Sequence, residues 1–354
     1  MVTIKHIAAR LNVSPSTVGR ALADDPRISA DMKKRVAKVA SEIGYVANRA
    51  ARVMRGASSN LVGLIVPDIR NSFYSTIAHA LTKCLEMENL QLMLSESDDD
   101  RLVELKHVRE LIGANVAGVI LVPSARPHPE AVRLLKDIPH IQLLRKHAAL
   151  GEQWFGIEDS RAIFDATQHL LDQGHRRIAY IGASDELPTG ASRLKGFRDA
   201  MASARAATVP FEELGPPGQM DFGRVALRKL LGQKKRPTAV VMGSVQHTSS
   251  VLDELQESGI KVPEELSVVG FGDERGYKWW GPGLTTIGLP VSELATACGL
   301  WFVHQYKQKA DVWPAYGSVS PASLIMRAST ATIQSPPTAQ RLEGRTVGAA
   351  SRIS

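Results

Sequence analysis

Two cysteines in 354 residues are too few for a disulfide framework, and Cys84 and Cys298 stand in apolar contexts with no metal-ligand spacing. Both are expected to be buried thiols of a reducing cytoplasm. No apolar run approaches the length that spans a bilayer, and the opening MVTIKHIAARL has neither an apolar h-region nor a cleavage site. Secretion and membrane insertion are therefore not expected. Catalytic signatures are missing as well. The histidines are scattered, and there is no phosphate-binding loop, nucleophile elbow or metal spacing. The glycines of GFGDERGYKWWGPG follow a strand-like run but lack the helix and downstream acid that dinucleotide binding requires. No cofactor or metal is expected, and an enzyme is the weaker class.

Acidic residues are scarce in one place. Residues 1–60 hold eleven Lys or Arg against four Asp or Glu, whereas the remainder carries 32 of each sign. The whole formal net charge of +7 thus sits in one small segment, the footprint of a polyanion-binding module. Within it, Ile4, Ile7, Ala8 and Leu11 recur at helical spacing behind a possible Thr3 cap. Asn12 and Val13 make a turn, and Ser14 caps a second helix that starts on Pro15. After the loop DDPRIS, Ser29 opens a third helix whose Met32, Val36, Val39, Ala40 and Ile43 form one apolar stripe, ended by Gly44. Three short helices with a tight turn between the first two make a helix-turn-helix.

Beyond NRAARVMRGASSN the texture changes. Short apolar runs (LVGLIVPD, LQLMLSES, VAGVILVPS, HIQLL, RRIAYIGAS, TAVVMGS, LSVVGFGD) alternate with helix-length amphipathic segments. That alternation predicts parallel sheets covered by helices, in two units that change over near residue 160, with LTTIGLP returning the chain toward the first. The runs end on Asp68, Ser95, Ser124, Ser184, Ser244 and Asp273, where an open α/β sheet holds its ligand. The composition past Arg327 cannot bury a core and predicts a disordered tail.

The runs TIKHIAARLNVSPSTVGRAL, VAKVASEIGYVAN, RAARVMR, LVGLIVPDIRNSFYSTIAHAL, GHRRIAYIG, SRLKGFRDAM, VPEELSVVGFGDE, LTTI and LIMRAST together resemble the LacI/GalR-type family of bacterial transcription regulators, over nearly the whole chain to about residue 330. The resemblance implies an N-terminal helix-turn-helix domain (1–47), a hinge helix and linker (48–60), and a two-lobed effector-binding and dimerisation domain (61–330) like periplasmic sugar-binding proteins. Its lobes would be roughly 61–160 plus 290–330, and 161–289, with 331–354 as tail. It implies a homodimer on pseudo-palindromic operator DNA in the bacterial cytoplasm, nucleoid-associated, whose affinity a small effector controls as a repressor of sugar metabolism would require. The tail lacks leucine heptads, which favours a dimer over a tail-linked tetramer.

On this resemblance Pro15, Ser16 and Arg20 are base-reading positions, and Arg bidentate to guanine is the commonest specific contact. Thr3 and Thr17 would cap or touch phosphate, and Ser29 joins the DNA-binding set. Helical spacing directs Val18, Ala21 and Leu22 toward the first helix and Gly19, where the family usually has serine, toward the exposed side. The hinge would contribute Asn48, Ala51, Arg52, Met54 and Arg55, with Met54 as the minor-groove wedge. For the effector the match assigns Phe73, Tyr74, Ser124, Arg193, Phe222, Ser244 and Asp273, and Trp279 or Trp280 would line the mouth. Three departures stand out: Ser244-Val245 replaces Asn-Asp, Gly272 replaces a carboxylate, and Glu158-Asp159 replaces Asp-Asn. With hydroxyl-binding groups lost, a sugar acid, a modified sugar or a non-sugar metabolite stays open beside a neutral hexose. The alternatives from other classes are a stand-alone two-lobed sugar-binding protein and a sugar-metabolising α/β enzyme.

Overall fold

A computed structural model describes residues 2–45, 59–204, 207–215, 219, 221–309 and 312–333. The chain divides into two compact units, residues 1–59 and 60–354. The hinge residues Asn48, Ala51, Arg52, Met54 and Arg55 lie outside the described residues.

In the first unit, α1 (Ile4–Leu11) begins at Thr3, whose backbone N–H donates to His6 Nδ1 at 3.0 Å. Asn12 ends it in the left-handed region (φ 52°), which asparagine tolerates better than most residues. The next helix, α2 (Pro15–Leu22), is capped by Ser14, whose Oγ accepts the Thr17 N–H at 3.0 Å. In the same way Ser29 Oγ accepts the Met32 N–H at 3.3 Å to start α3 (Ala30–Glu42), and Gly44 (φ 63°) terminates that segment. Ile7, Ala8, Val18, Ala21, Val36 and Ala40 form the core of the unit. Two positions differ from the helical-wheel expectation. Gly19 is buried, because side chains lean back over the preceding turn and a glycine has nothing to stand clear of them. Leu22 is 36% exposed, since one step past Ala21 turns it about 100° from the seam.

The second unit runs β1 (Leu61–Val66), α4 (Ser72–Glu86), β2 (Gln91–Glu96), α5 (Arg101–Gly113), β3 (Gly118–Leu121), α6 (Pro129–Leu135), β4 (His140–Leu143) and β5 (Trp154–Ile157). It continues through α7 (Asp159–Asp172), β6 (Arg177–Ala183), α8 (Pro188–Ser203), β7 (Val209–Gly215), α9 (Phe222–Leu231), β8 (Ala239–Met242), α10 (Val245–Ser258), β9 (Ser267–Phe271) and β10 (Thr285–Gly288). Last come α11 (Val291–Gln308), β11 (Gly317–Ser320) and β12 (Ser323–Ile325). Two six-stranded sheets result, in the orders β11-β5-β4-β3-β1-β2 and β12-β10-β9-β8-β6-β7. The strand pairs are parallel except for β10 with β12.

Each sheet is covered on both faces, as the apolar runs imply. Along β1, Val62, Leu64 and Val66 join Ile77, Leu81, Leu85 and Phe302, while Ile65 joins Leu105, Val108 and Leu111 on the opposite face. Gly63 admits α5 closely: a Cβ there would lie 2.5 Å from Leu111 Cδ1.

The chain changes sheets after β5 and again after β10, as the texture of the sequence suggests. It also crosses a third time. β12 belongs to the second sheet, so residues 323–330 do not complete the first lobe as the expected boundaries had it. Ser329 is buried and donates its hydroxyl to Val268 O at 2.6 Å, and the Ile333 N–H reaches Gln173 O at 2.9 Å. The segment from Ser329 to Ile333 is thus tied to the second lobe by its backbone, an anchoring that composition does not show.

Candidate functional site

In the first unit, Pro15, Ser16 and Arg20 lie exposed along α2. Among the described residues the Arg20 guanidinium makes no hydrogen bond or ion pair. The nearby acids are occupied instead: Asp25 pairs with Arg27 at 2.7 Å and Asp24 with Lys33 at 2.7 Å. Arg27 holds the Asp25 carboxyl well below the usual carboxylate range, so that acid stays charged and engaged. The hydroxyls of Thr17 and Ser29 serve caps: Thr17 lies 2.9 Å from Ser14 Oγ, and Ser29 starts α3. Thr3 caps α1 and lies 3.1 Å from His6 Nδ1.

In the second unit a cavity of about 320 Å³ opens where the carboxyl ends of β1, β4, β6, β8 and β9 face helix N-termini from both sheets. Phe73 and Tyr74 reach it from the first turn of α4, which Asn71 caps by accepting the Phe73 N–H at 3.1 Å. Ser244 caps α10 at the opposite wall and accepts the His247 N–H at 3.1 Å. Arg193, from α8, donates Nε to Asp159 at 2.6 Å and Nη1 to Gly243 O at 2.9 Å. Its guanidinium lies 4.2 Å over the Phe271 ring. No hydrogen bond from Nη2 to another described residue accompanies these two hydrogen bonds. Burial pushes the Asp159 carboxyl up against the pull of the Arg193 charge.

A second buried pair mirrors the first. Arg145 forks onto both Asp99 oxygens, with Nη2 to Oδ2 at 3.1 Å, and also donates Nη1 to Pro123 O at 3.1 Å. Both residues line the cavity. Their placement depends on left-handed backbone that side chains rarely adopt, at Asp98 (φ 52°), Asp99 (φ 58°) and Leu144 (φ 66°). Asp68 carries a third arginine: Arg70 donates to it at 2.8 Å and holds its carboxyl below the ordinary range.

Phe73, Tyr74, Arg193 and Ser244 are therefore brought together, whereas three of the expected effector residues are not in the wall. Ser124 is buried behind it, giving its N–H and hydroxyl to Glu104 at 2.7 and 3.1 Å. Phe222 packs into the core beneath α9. Asp273 is held by Arg327 at 2.8 Å. Nor does either tryptophan line the mouth: Trp279 is 72% exposed and Trp280 packs against the α9–α10 core. Residues that sequence reading missed are Arg145, Asp99, Gln246 and His247. Only the basic RK following the apolar run of β4 marked any of them.

Residues 3–48 match the family described as bacterial regulatory proteins, lacI family, and residues 167–330 match the periplasmic binding protein-like domain. Catabolite control protein A of Priestia megaterium is 29% identical over 314 residues, covering 88% of this chain and 94% of that protein.

The chain belongs to the LacI family of bacterial regulatory proteins.

Another LacI-type relative, the HTH-type transcriptional regulator GalR of Salmonella typhimurium, is 28% identical over 298 residues, covering 84% of this chain and 87% of that one. The fold agrees with a crystal structure of the lac repressor dimer bound to operator and the anti-inducer ONPF, at TM-score 0.80 and 21% identity over 93% of this chain and 99% of that chain. A LacI family regulator from Silicibacter pomeroyi, 26% identical, aligns with TM-score 0.67 over 76% of this chain and 98% of that chain. As a member of this family the chain is a DNA-binding transcriptional regulator, not an enzyme. No helix among the described residues is long and apolar enough to cross a membrane.

Proposed function

We propose that this regulator is a repressor that grips a pseudo-palindromic operator as a homodimer and exchanges that grip for a small effector in the cavity of the second unit. The observation that carries the reading is one chain holding both an exposed arginine on a helix-turn-helix, unpaired among the described residues, and a cavity lined by the arginines of two buried Asp–Arg pairs. Arg20, Ser16 and Pro15 enter the major groove, and Thr3, Thr17 and Ser29 stand near phosphates. The segment with Asn48, Ala51, Arg52, Met54 and Arg55 is the hinge, with Met54 as an apolar wedge in the minor groove.

An effector can shift the operator equilibrium only by its differential affinity for the two lobe arrangements. Contacts across the cleft supply such a difference. Ser72 donates to Glu274 at 2.5 Å, Gln246 to Asp68 at 3.3 Å, and Arg126 pairs with Glu186 at 2.7 Å. A transcriptional regulator that this chain resembles in fold is known as a complex with cellobiose, which supports a sugar or sugar-derived effector in a cytoplasmic regulator. The direct test is a mobility-shift titration on DNA upstream of the chain's own coding region. Tight binding that scrambled DNA lacks is expected; equal binding to both would remove the operator reading.

A further inference from the structure

His247 lies in the first turn of α10, and its imidazole is part of the cavity wall beside Arg193 and Phe271. The Phe222 ring backs it at 5.5 Å. Gly223 permits that approach, since a Cβ there would come 2.8 Å from the His247 carbonyl oxygen. Nδ1 is enclosed without a hydrogen-bond partner, and among the described residues nothing bonds Nε2. Leaving a buried polar atom unpaired costs on the order of 1–3 kcal/mol, a cost that an apolar ring in the same slot would not carry. Nε2, the ring nitrogen that is not enclosed, is the one a guest in the cavity can reach.

Two observations define that partner. Burial and the Arg193 charge hold the imidazole down to about 4, so it is neutral at neutral pH. With Nδ1 closed off, the proton belongs on Nε2, the nitrogen left to the cavity, where it can donate. Second, the surrounding arginines bring no surplus charge. Arg193 pairs with Asp159, Arg145 with Asp99 and Arg70 with Asp68, and Asp98 adds a carboxylate at the mouth. An anionic guest would meet only guanidiniums that are already neutralised.

We infer that His247 is a specificity-determining contact, donating from Nε2 to a hydroxyl of an uncharged, hydroxyl-rich effector, and that the cavity discriminates against the corresponding acids and phosphate esters. This rests on the effector-cavity reading above and decides between options the sequence leaves open. Ser244-Val245 stands where an amide–acid pair would bind hydroxyls, and the histidine two positions on takes over that role.

The test titrates the full chain calorimetrically with galactose, ribose and cellobiose, and with galacturonate and ribose 5-phosphate as charged counterparts. At least one uncharged sugar is expected to bind, its acid or ester about tenfold or more weaker. His247→Phe should weaken that sugar about tenfold while leaving the unliganded melting temperature equal or higher, and His247→Gln, which keeps a donor, should stay within about threefold. If His247→Phe does not fold, His247→Leu makes the same comparison. Unchanged affinity in the apolar variant overturns the inference, as does tighter binding of galacturonate or ribose 5-phosphate, or no binding of any uncharged sugar. Arg193→Ala separates the two levels: if it abolishes binding of a charged probe, the cavity reading stands and the inference alone fails. Indifference of every bound probe to Arg193→Ala sinks the cavity reading itself.

Discussion

Gln246, in the first turn of α10, donates its side-chain amide across the cleft to Asp68 at the end of β1, over 3.3 Å and 178 positions of sequence. Asp68 is simultaneously held by Arg70, so the bond ties a charged pair of one lobe to a helix N-terminus of the other. Ser72 and Glu274 make a second such tie. These bonds exist only when the lobes are close, so removing one weakens the closed arrangement without touching either core.

Ser72→Ala should accordingly lower effector affinity by about threefold to tenfold, the worth of one typical hydrogen bond, and leave the urea midpoint nearly unchanged. A titration of effector-dependent operator release measures it. Full retention of effector response in this variant would show that the cross-cleft bond does not report on closure.

The Arg193–Asp159 pair behaves differently because both partners are buried. Asp159→Ala leaves a guanidinium uncompensated and should destabilise the second unit by about 3–5 kcal/mol. The variant Asp159→Asn, which keeps the shape, should lose less stability yet still displace Arg193 from its aim over Phe271. Chemical denaturation of the two variants side by side checks the order; equal stability of Asp159→Ala and wild type would contradict the buried pairing.

How much of this was legible in the sequence depends on the range of the interaction. Ser14, Pro15, Ser29 and Asn12 act within a few residues of themselves, and helix starts, the turn and the helix-turn-helix core follow from them. Strand ends were legible too, and Asp68 and Ser244 line the cavity. Whether a residue faces the cavity was not, because its partner comes from elsewhere. Ser124 is claimed by Glu104, twenty positions earlier, and Asp273 by Arg327. β7 and β12 are also hard to see. The first is an edge strand half open to solvent with Glu212 and Glu213 in it, and the second is three residues long. Arg145 and His247 gave little sign because the left-handed turn at Leu144 and the enclosure of Nδ1 are tertiary facts.

Acid should destabilise the second unit before its carboxylates titrate. His247 has its pKa lowered to about 4 by burial and Arg193, and burial lowers His175 as well. Below about pH 6.5 the unfolded chain takes up protons that the native chain refuses. These groups therefore cost no proton-linked stability above pH 6.5, and stability falls as pH drops toward 4, by about 3 kcal/mol in all for His247. Urea midpoints at pH 7.5 and 5 give the slope, which His247→Phe should reduce. Parallel loss in both proteins would contradict the burial of a neutral imidazole.

Arg20→Ala should cost about 1–3 kcal/mol of operator affinity and bring specific binding toward the level on scrambled DNA. Lys5→Ala, a change of exposed charge in α1, should instead weaken binding to all sequences and make the salt slope shallower. A mobility-shift series across salt concentrations distinguishes the two patterns; identical behaviour would remove Arg20 as a base reader.

The central claim is that one chain joins sequence-specific DNA binding to a sugar-sized cavity, and fluorescence anisotropy of the full protein on its own upstream DNA, with and without the uncharged sugar found by calorimetry, tests it most directly. The account predicts nanomolar-range binding that changes about tenfold or more on adding sugar, a change lost in Arg193→Ala while sugar-free DNA binding persists. Operator affinity indifferent to every sugar that binds the chain would contradict it.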